Sequence, residues 1–368
     1  MKTALLSLKA FIICFIFSTC YLGVAQTTYT VNNTPGTTAD YSNLQDAINA
    51  ASATGGDIIY VQQSPTSYGN ITIDRGITLV GRSHSEPNSN YRTTLGNITI
   101  AAGASDTTIN GIIFSTLTTS ASSSTINNLI LKENIFNDYV IGNNSLNFNN
   151  VVFQGNVISN GLNKRIGSNV SNMIIANNIF LNTTDYQGSD LVFDKAATIV
   201  VDKNIFRSYF TNNSADITIT NNSSSTLTIS NSMFIGTASG HNIVELNNGS
   251  FEINNCLTYN PLNATMSFAG TGTSFVNNAV SGNPNFTNDG GIYNNSSGFD
   301  RSIADFTLLP GSPAIGAASD GGDIGILNGY NFSMLGQPVN TPYLQIESFS
   351  STVDKNQPLT VTIKANAN

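Results

Sequence analysis

Four stretches decide how this chain is read: Asn128–Asp138 (NLILKENIFND), Asn150–Asn160 (NVVFQGNVISN), Asn172–Asn182 (NMIIANNIFLN) and Thr198–Ser208 (TIVVDKNIFRS). Each holds an apolar run, a polar step closing on asparagine, and a second apolar run. Fainter copies occupy Thr226–Gly236, Ser250–Asn260 and Gly272–Gly282. Aligned, they place Asn134, Asn156, Asn178, Asn204, Ser232, Cys256 and Asn278 in one column at intervals of 22 to 28 residues. Ile112 falls in the same column one interval upstream.

Self-similarity at such a period is the mark of a repeat architecture. The period fits one coil of a parallel β-helix, three short strands joined by three turns. Apolar residues alternate and no long helical pattern appears, so the two-residue period of strands prevails. One coil cannot bury its inward side chains, whereas stacked coils share a continuous core, with equivalent positions about 4.8 Å apart. Asparagine tolerates left-handed backbone and its amide bonds neighbouring backbone, so the column reads as an amide ladder at a tight turn. Ser232 and Cys256 are small substitutes, and Cys256 reads as a packed free thiol.

A solenoid has two ends to protect. After a strand at Tyr29–Val31, Leu44, Ala47, Ile48 and Ala51 recur at helical spacing, with Ser42 and Gln45 suited to a capping box and Gly55–Gly56 beyond. This short helix is expected to plug the first coil. Toward the other end, Gly311-Ser312-Pro313-Ala314-Ile315 and Asp323-Ile324-Gly325 break the winding and are expected to close the solenoid. Plugged ends favour a monomer. The fold class expected is therefore all-β, a right-handed parallel β-helix over residues 26–330 with an N-terminal capping helix. Residues 331–368 form a small β appendage with alternation at Tyr343–Ile346 and Leu359–Ile363.

Residues 1–25 read as a signal peptide: Lys2 and Lys9, an apolar run to Phe17, and Gly23-Val24-Ala25 before Gln26. Cleavage before a lipidated Cys20 is the rival reading. A secreted or cell-surface protein follows from either. No later stretch holds the roughly 18 consecutive apolar residues of a membrane span. The chain has 14 Lys and Arg against 22 Asp and Glu, a net charge of −8, which disfavours nucleic acid as a partner. Only 10% of residues are charged, so the surface bonds through amides and hydroxyls.

The segment Tyr41–Asn49 (YSNLQDAIN) with Gly56–Val61 (GDIIYV) resembles the N-terminal cap of the pectin-lyase-like right-handed β-helix superfamily. Gly311–Ile315 with Asp323–Gly325 resembles the closing segment of its secreted bacterial members. The likeness spans about Thr27 to Ile326. It implies the fold firmly and an activity weakly, because the superfamily holds lyases, hydrolases, epimerases and adhesins. Lyases of this kind gather carboxylates around calcium and use Lys or Arg as base; hydrolases use an aspartate cluster. The Asp-Asp, Gly-His-Gly and Arg-Ile-Lys signatures of polygalacturonase-like hydrolases are absent.

Catalysis on such a scaffold needs carboxylates close together on an outward strand face. The strand preceding the asparagine-bearing one is read as Leu146–Asn149, Leu191–Asp194, Ile217–Thr220, Ile243–Leu246 and Met266–Ala269. Asp194 and Glu245 then lie two coils apart, about 9.6 Å, near the upper limit for an inverting pair. Lys195 stands beside Asp194. The alternative is that these are ordinary surface charges. Asp185 and Asp190 share a loop without calcium-ligand spacing, and His84, His241 and Cys256 are too scattered in sequence to suggest a metal or a triad. No metal centre is expected, with calcium a cofactor only for a lyase.

The leading expectation is a protein that binds polysaccharide or another surface without turnover, through outward Asn147, Asn149, Thr218 and Thr220. Tyr139, Tyr186, Tyr209 and Tyr259 are candidate sugar platforms or ordinary turn and core aromatics. A polysaccharide lyase or glycoside hydrolase is the alternative, and a structural or adhesive protein the third.

Overall fold

The computed structural model describes residues 26–82, 92–141, 146–159, 164–166, 169–181, 191–194, 198–207, 217–237, 243–262, 266–293, 299–300, 303–330, 343–349 and 361–366. Residues 1–25, which the sequence reads as a signal peptide, and Lys195, Asp185, Asp190, Tyr186, Tyr209, His84 and His241 lie outside them.

The chain is an all-β, right-handed parallel β-solenoid with a single short helix among the described residues. Its strands form three parallel sheets of eleven, nine and seven, and from Thr116–Thr119 onward each coil contributes one strand to each. The residues Leu146–Asn149 do not form the nine-stranded-sheet strand that the sequence suggested. Asn147–Gln154 runs as one strand into the eleven-stranded sheet, and its coil's strand in the nine-stranded sheet is Asp138–Ile141.

Alternation sets what is buried. In the eleven-stranded sheet Leu129, Leu131, Val151, Phe153, Met173 and Ile175 point inward, while Ile130, Val152 and Ile174 point outward. In the seven-stranded sheet Phe180, Phe206 and Phe234 stack inside with ring centroids 4.9 and 5.1 Å apart. Each such ring removes about 150 Å² or more from water.

The outer face of the seven-stranded sheet is also covered. Val157, Ile179, Ile205, Met233 and Leu257 pack against Phe286, Phe306, Ala314, Ile324 and Ile326, giving a second core. The covering lobe includes the antiparallel pair Phe286–Asn288 and Asp305–Leu308.

The helix Leu44–Ala50 buries Leu44, Ala47 and Ile48 over the first coil. Its cap is Asn43 rather than Ser42: the Asn43 side chain accepts from the amides of Gln45 and Asp46, which Ser42, one residue further out, is not placed to do. Gln45 instead clamps the first strand of the nine-stranded sheet, donating to the Thr72 carbonyl and accepting from the Thr72 amide. That edge is thereby covered.

The other end departs from expectation. The segment around Gly311–Gly325 does not plug the last coil but runs back along the solenoid. Strand Thr273–Asn277 of the last coil is exposed at every residue. The tail forms an antiparallel hairpin, Tyr343–Phe349 with Val361–Asn366.

Candidate functional site

The buried column has a definite geometry. The oxygens of Asn156, Asn178 and Asn204 each accept from both the backbone and the side-chain N–H of the asparagine one coil before: Asn178 Oδ1 from Asn156 at 2.9 and 2.9 Å, Asn204 Oδ1 from Asn178 at 2.9 and 3.1 Å. The amides also donate to interior carbonyls such as Phe153. Ser232 Oγ continues the run by accepting from the Asn204 amide. Cys256 lies 3.6 Å from the Ile229 carbonyl, and burial pushes its thiol up to about 12.

The left-handed backbone belongs to the preceding residue. Glu133, Gly155, Asn177, Lys203, Asn231 and Asn255 all have positive φ. Asn278 (φ 50°) belongs to this second column, because Asn277 pairs with Asn254; Ala279 takes the position below Cys256. The last coil is one residue longer than a simple 22-residue step implies.

This turn column anchors the returning segment. Asn255 donates to the Ala317 carbonyl, Asn231 to Ser319 Oγ, Lys203 to Asp320 at 2.9 Å, Asn177 to the Ile326 carbonyl, and Tyr330 donates to Glu133. Residues 317–330 therefore climb the solenoid along the corner between the eleven- and seven-stranded sheets. The pairing was hidden in sequence, because the partners of Glu133 and Lys203 in the returning segment, Tyr330 and Asp320, lie more than a hundred residues away.

The opposite corner of the eleven-stranded sheet carries an exposed amide rail. Asn128 donates to Asp106, Asn150 to Asn128, and Asn172 to Asn149 and Asn150. Lower down, Asn222 donates to Asp194 and Asn248 to Asn222. Each such amide retains hydrogen-bonding capacity toward solvent. Between rail and returning segment runs an outward column in continuous register, Ile130, Val152, Ile174, Val200, Thr228, Glu252 and Phe275. Ile174, Val200 and Phe275 are 45%, 44% and 63% exposed.

The candidate residues separate. Asp194 sits just past its strand, opposite Asn222, whereas Glu245 is mid-strand, opposite Thr218. Four residues along the strand and two coils across place them about 16 Å apart. That exceeds the range of about 5 to 9.5 Å for paired glycosidase carboxylates. Unequal corner lengths shift the register. Glu245 accepts from Thr218, and Thr218 and Thr220 face outward on the nine-stranded sheet. Asn149 belongs to the rail instead, donating to Asn127, and Asn147 pairs with Thr125 in the eleven-stranded sheet. Tyr139 is wholly buried and Tyr259 meets Tyr293 edge to face.

At the wall of the strip two carboxylates have opposite environments. Burial raises Asp202, which accepts from Asn231, while Lys203, Asn328 and the Gly322 amide hold Asp320 well below the usual range. Among the described residues no three His, Cys, Asp or Glu side chains converge as a metal site would require. A cavity of about 350 Å³ under the covering lobe is lined by Met233, Phe286, Phe306 and Ile324, and its carboxylate, Asp323, already accepts from the Gly316 amide.

No protein-family model matches the chain, and no curated protein matches it.

Proposed function

We propose that this is a secreted or cell-surface member of the pectin-lyase-like β-helices that binds an extended polysaccharide without cleaving it. The polymer lies along the outer strip of the eleven-stranded sheet. One observation carries the proposal: an outward column that is apolar over four coils, Ile130, Val152, Ile174 and Val200, beside a rail of amides at the same spacing, Asn128, Asn150 and Asn172. A glycan chain presents apolar C–H faces and hydroxyl edges, and this strip offers a partner for each. The flat run of parallel strands favours a linear ligand over a compact one. Separation of Asp194 from Glu245 supports binding over turnover.

The test is retention of the purified protein on a series of immobilised neutral and acidic polysaccharides, with reducing ends and unsaturated products followed in parallel. Ile174→Asp and Val200→Asp are expected to weaken retention by about tenfold each, equal to about 1.4 kcal/mol. Thr220→Ala, on the other sheet, is expected to leave it unchanged. Loss on Thr220→Ala alone would move the site to the nine-stranded sheet. Product formation would replace binding by turnover, and Asp202, raised by burial beside the strip, is then the first carboxylate to substitute.

A further inference from the structure

The two ends of the solenoid are unlike. Where the first coil lies under a helix, the last coil, Ser267–Ala269, Thr273–Asn277 and Val280–Ser281, terminates all three sheets with no described strand beyond it. Its inward side chains are left uncovered. Val276 pairs with the fully buried Ile253 and so points inward, yet it is 42% exposed. Open strand edges and exposed core positions together invite another strand.

The tail hairpin is incomplete in a complementary way. Its register places Leu344 opposite Ala365, Ile346 opposite Ile363 and Phe349 opposite Val361, with Gln345 opposite Lys364 and Ser348 opposite Thr362 on the other face. By register one set of positions is thus apolar, and the other is polar but for Tyr343 opposite Asn366. A two-stranded hairpin is marginal in water unless such a face is buried.

The chain geometry allows the two to meet. Tyr330 sits beside Glu133 and Gly155, six and five coils above Asn278, about 24 to 29 Å at strand spacing. Residues 331–342 reach up to about 40 Å when extended.

We propose that the hairpin extends the eleven-stranded sheet beyond Thr273–Asn277, its apolar face continuing the solenoid interior below Val276 and its polar face continuing the outer surface. The cap of the open end would then be supplied by the chain's own C-terminal segment through strand addition.

Hydrogen exchange on the full-length chain from Gln26 tests this. The amides of 273–277 are expected to be protected in the parent. Ile363→Asp, on the apolar face, is expected to speed their exchange by roughly tenfold or more, whereas Gln345→Ala, on the polar face, leaves it unchanged. Fast exchange in the parent overturns the proposal. So does protection indifferent to Ile363→Asp, and if that protection rises with protein concentration, a second copy is the occupant.

Discussion

Tyr330 donates its hydroxyl to the buried carboxylate of Glu133, 197 residues earlier, and this contact fixes the upper end of the returning segment. Gly155, one coil below Glu133, makes room for it. A Cβ there would lie 2.7 Å from the Tyr330 hydroxyl and 2.8 Å from Glu133 Oε1, at a φ of +69°. Gly155→Ala is therefore expected to cost about 1 to 2 kcal/mol in backbone strain alone and to displace Tyr330. Limited proteolysis should cut within 317–330 faster in this variant. Unchanged cleavage would mean that the segment is held mainly by its apolar contacts.

The ladder is expected to be the most sensitive element of the solenoid. Asn178→Ala removes the acceptor of the Asn156 amide and the donor to Phe153 in a fully buried site. At about 1 to 3 kcal/mol for each buried group left unsatisfied, a loss of about 3 kcal/mol or more is expected in urea unfolding. Asn172→Ala, an exposed rail amide, is expected to cost under about 1 kcal/mol.

Cys256 is a free, fully buried cysteine among the described residues. With its thiol pushed up to about 12, the thiolate at pH 8 is scarcer on the order of a thousandfold than for an ordinary cysteine. Alkylation in the native state should be negligible and should appear only with unfolding. Rapid native labelling would show that the lower coils open locally.

Asp202 and Asp320 have opposite pH signatures. Asp202 is raised in the fold, so its contribution favours the fold while the group is protonated and fades as pH rises through the ordinary carboxylate value toward the folded one. Asp202→Asn keeps the oxygen that accepts from Asn231 and should stabilise the protein at neutral pH, the gain vanishing in acid. Asp320 is lowered, so its contribution is present above the ordinary value and is lost as pH falls through the folded one. Thermal melts of Asp202→Asn and Asp320→Asn from pH 3 to 7 should therefore diverge in opposite directions.

The fold was legible because the repeat is local. Asn134, Asn156 and Asn178 recur at a spacing that only one coil of a β-helix accommodates, and the stacking rule then assigns the rest. The capping helix was legible from its spacing, though its cap lay one residue from the position expected. Within runs such as Asn172–Ala176 (NMIIA), however, nothing local says which of two adjacent isoleucines faces solvent. Ile175 is buried and Ile174 is not, because register with neighbouring coils decides.

What the sequence by itself determined is the solenoid, the three-strand coil and the buried amide column, since each depends on residues in one coil and its repeat. Only the tertiary structure decided the rest. It separated Asp194 from Glu245, moved Asn278 out of the ladder, joined Lys203 to Asp320 and Glu133 to Tyr330, and left the last coil open. Corner lengths of unequal size accumulate into register shifts, and contacts over a hundred residues leave no periodic trace, so neither is written in any single stretch of the chain.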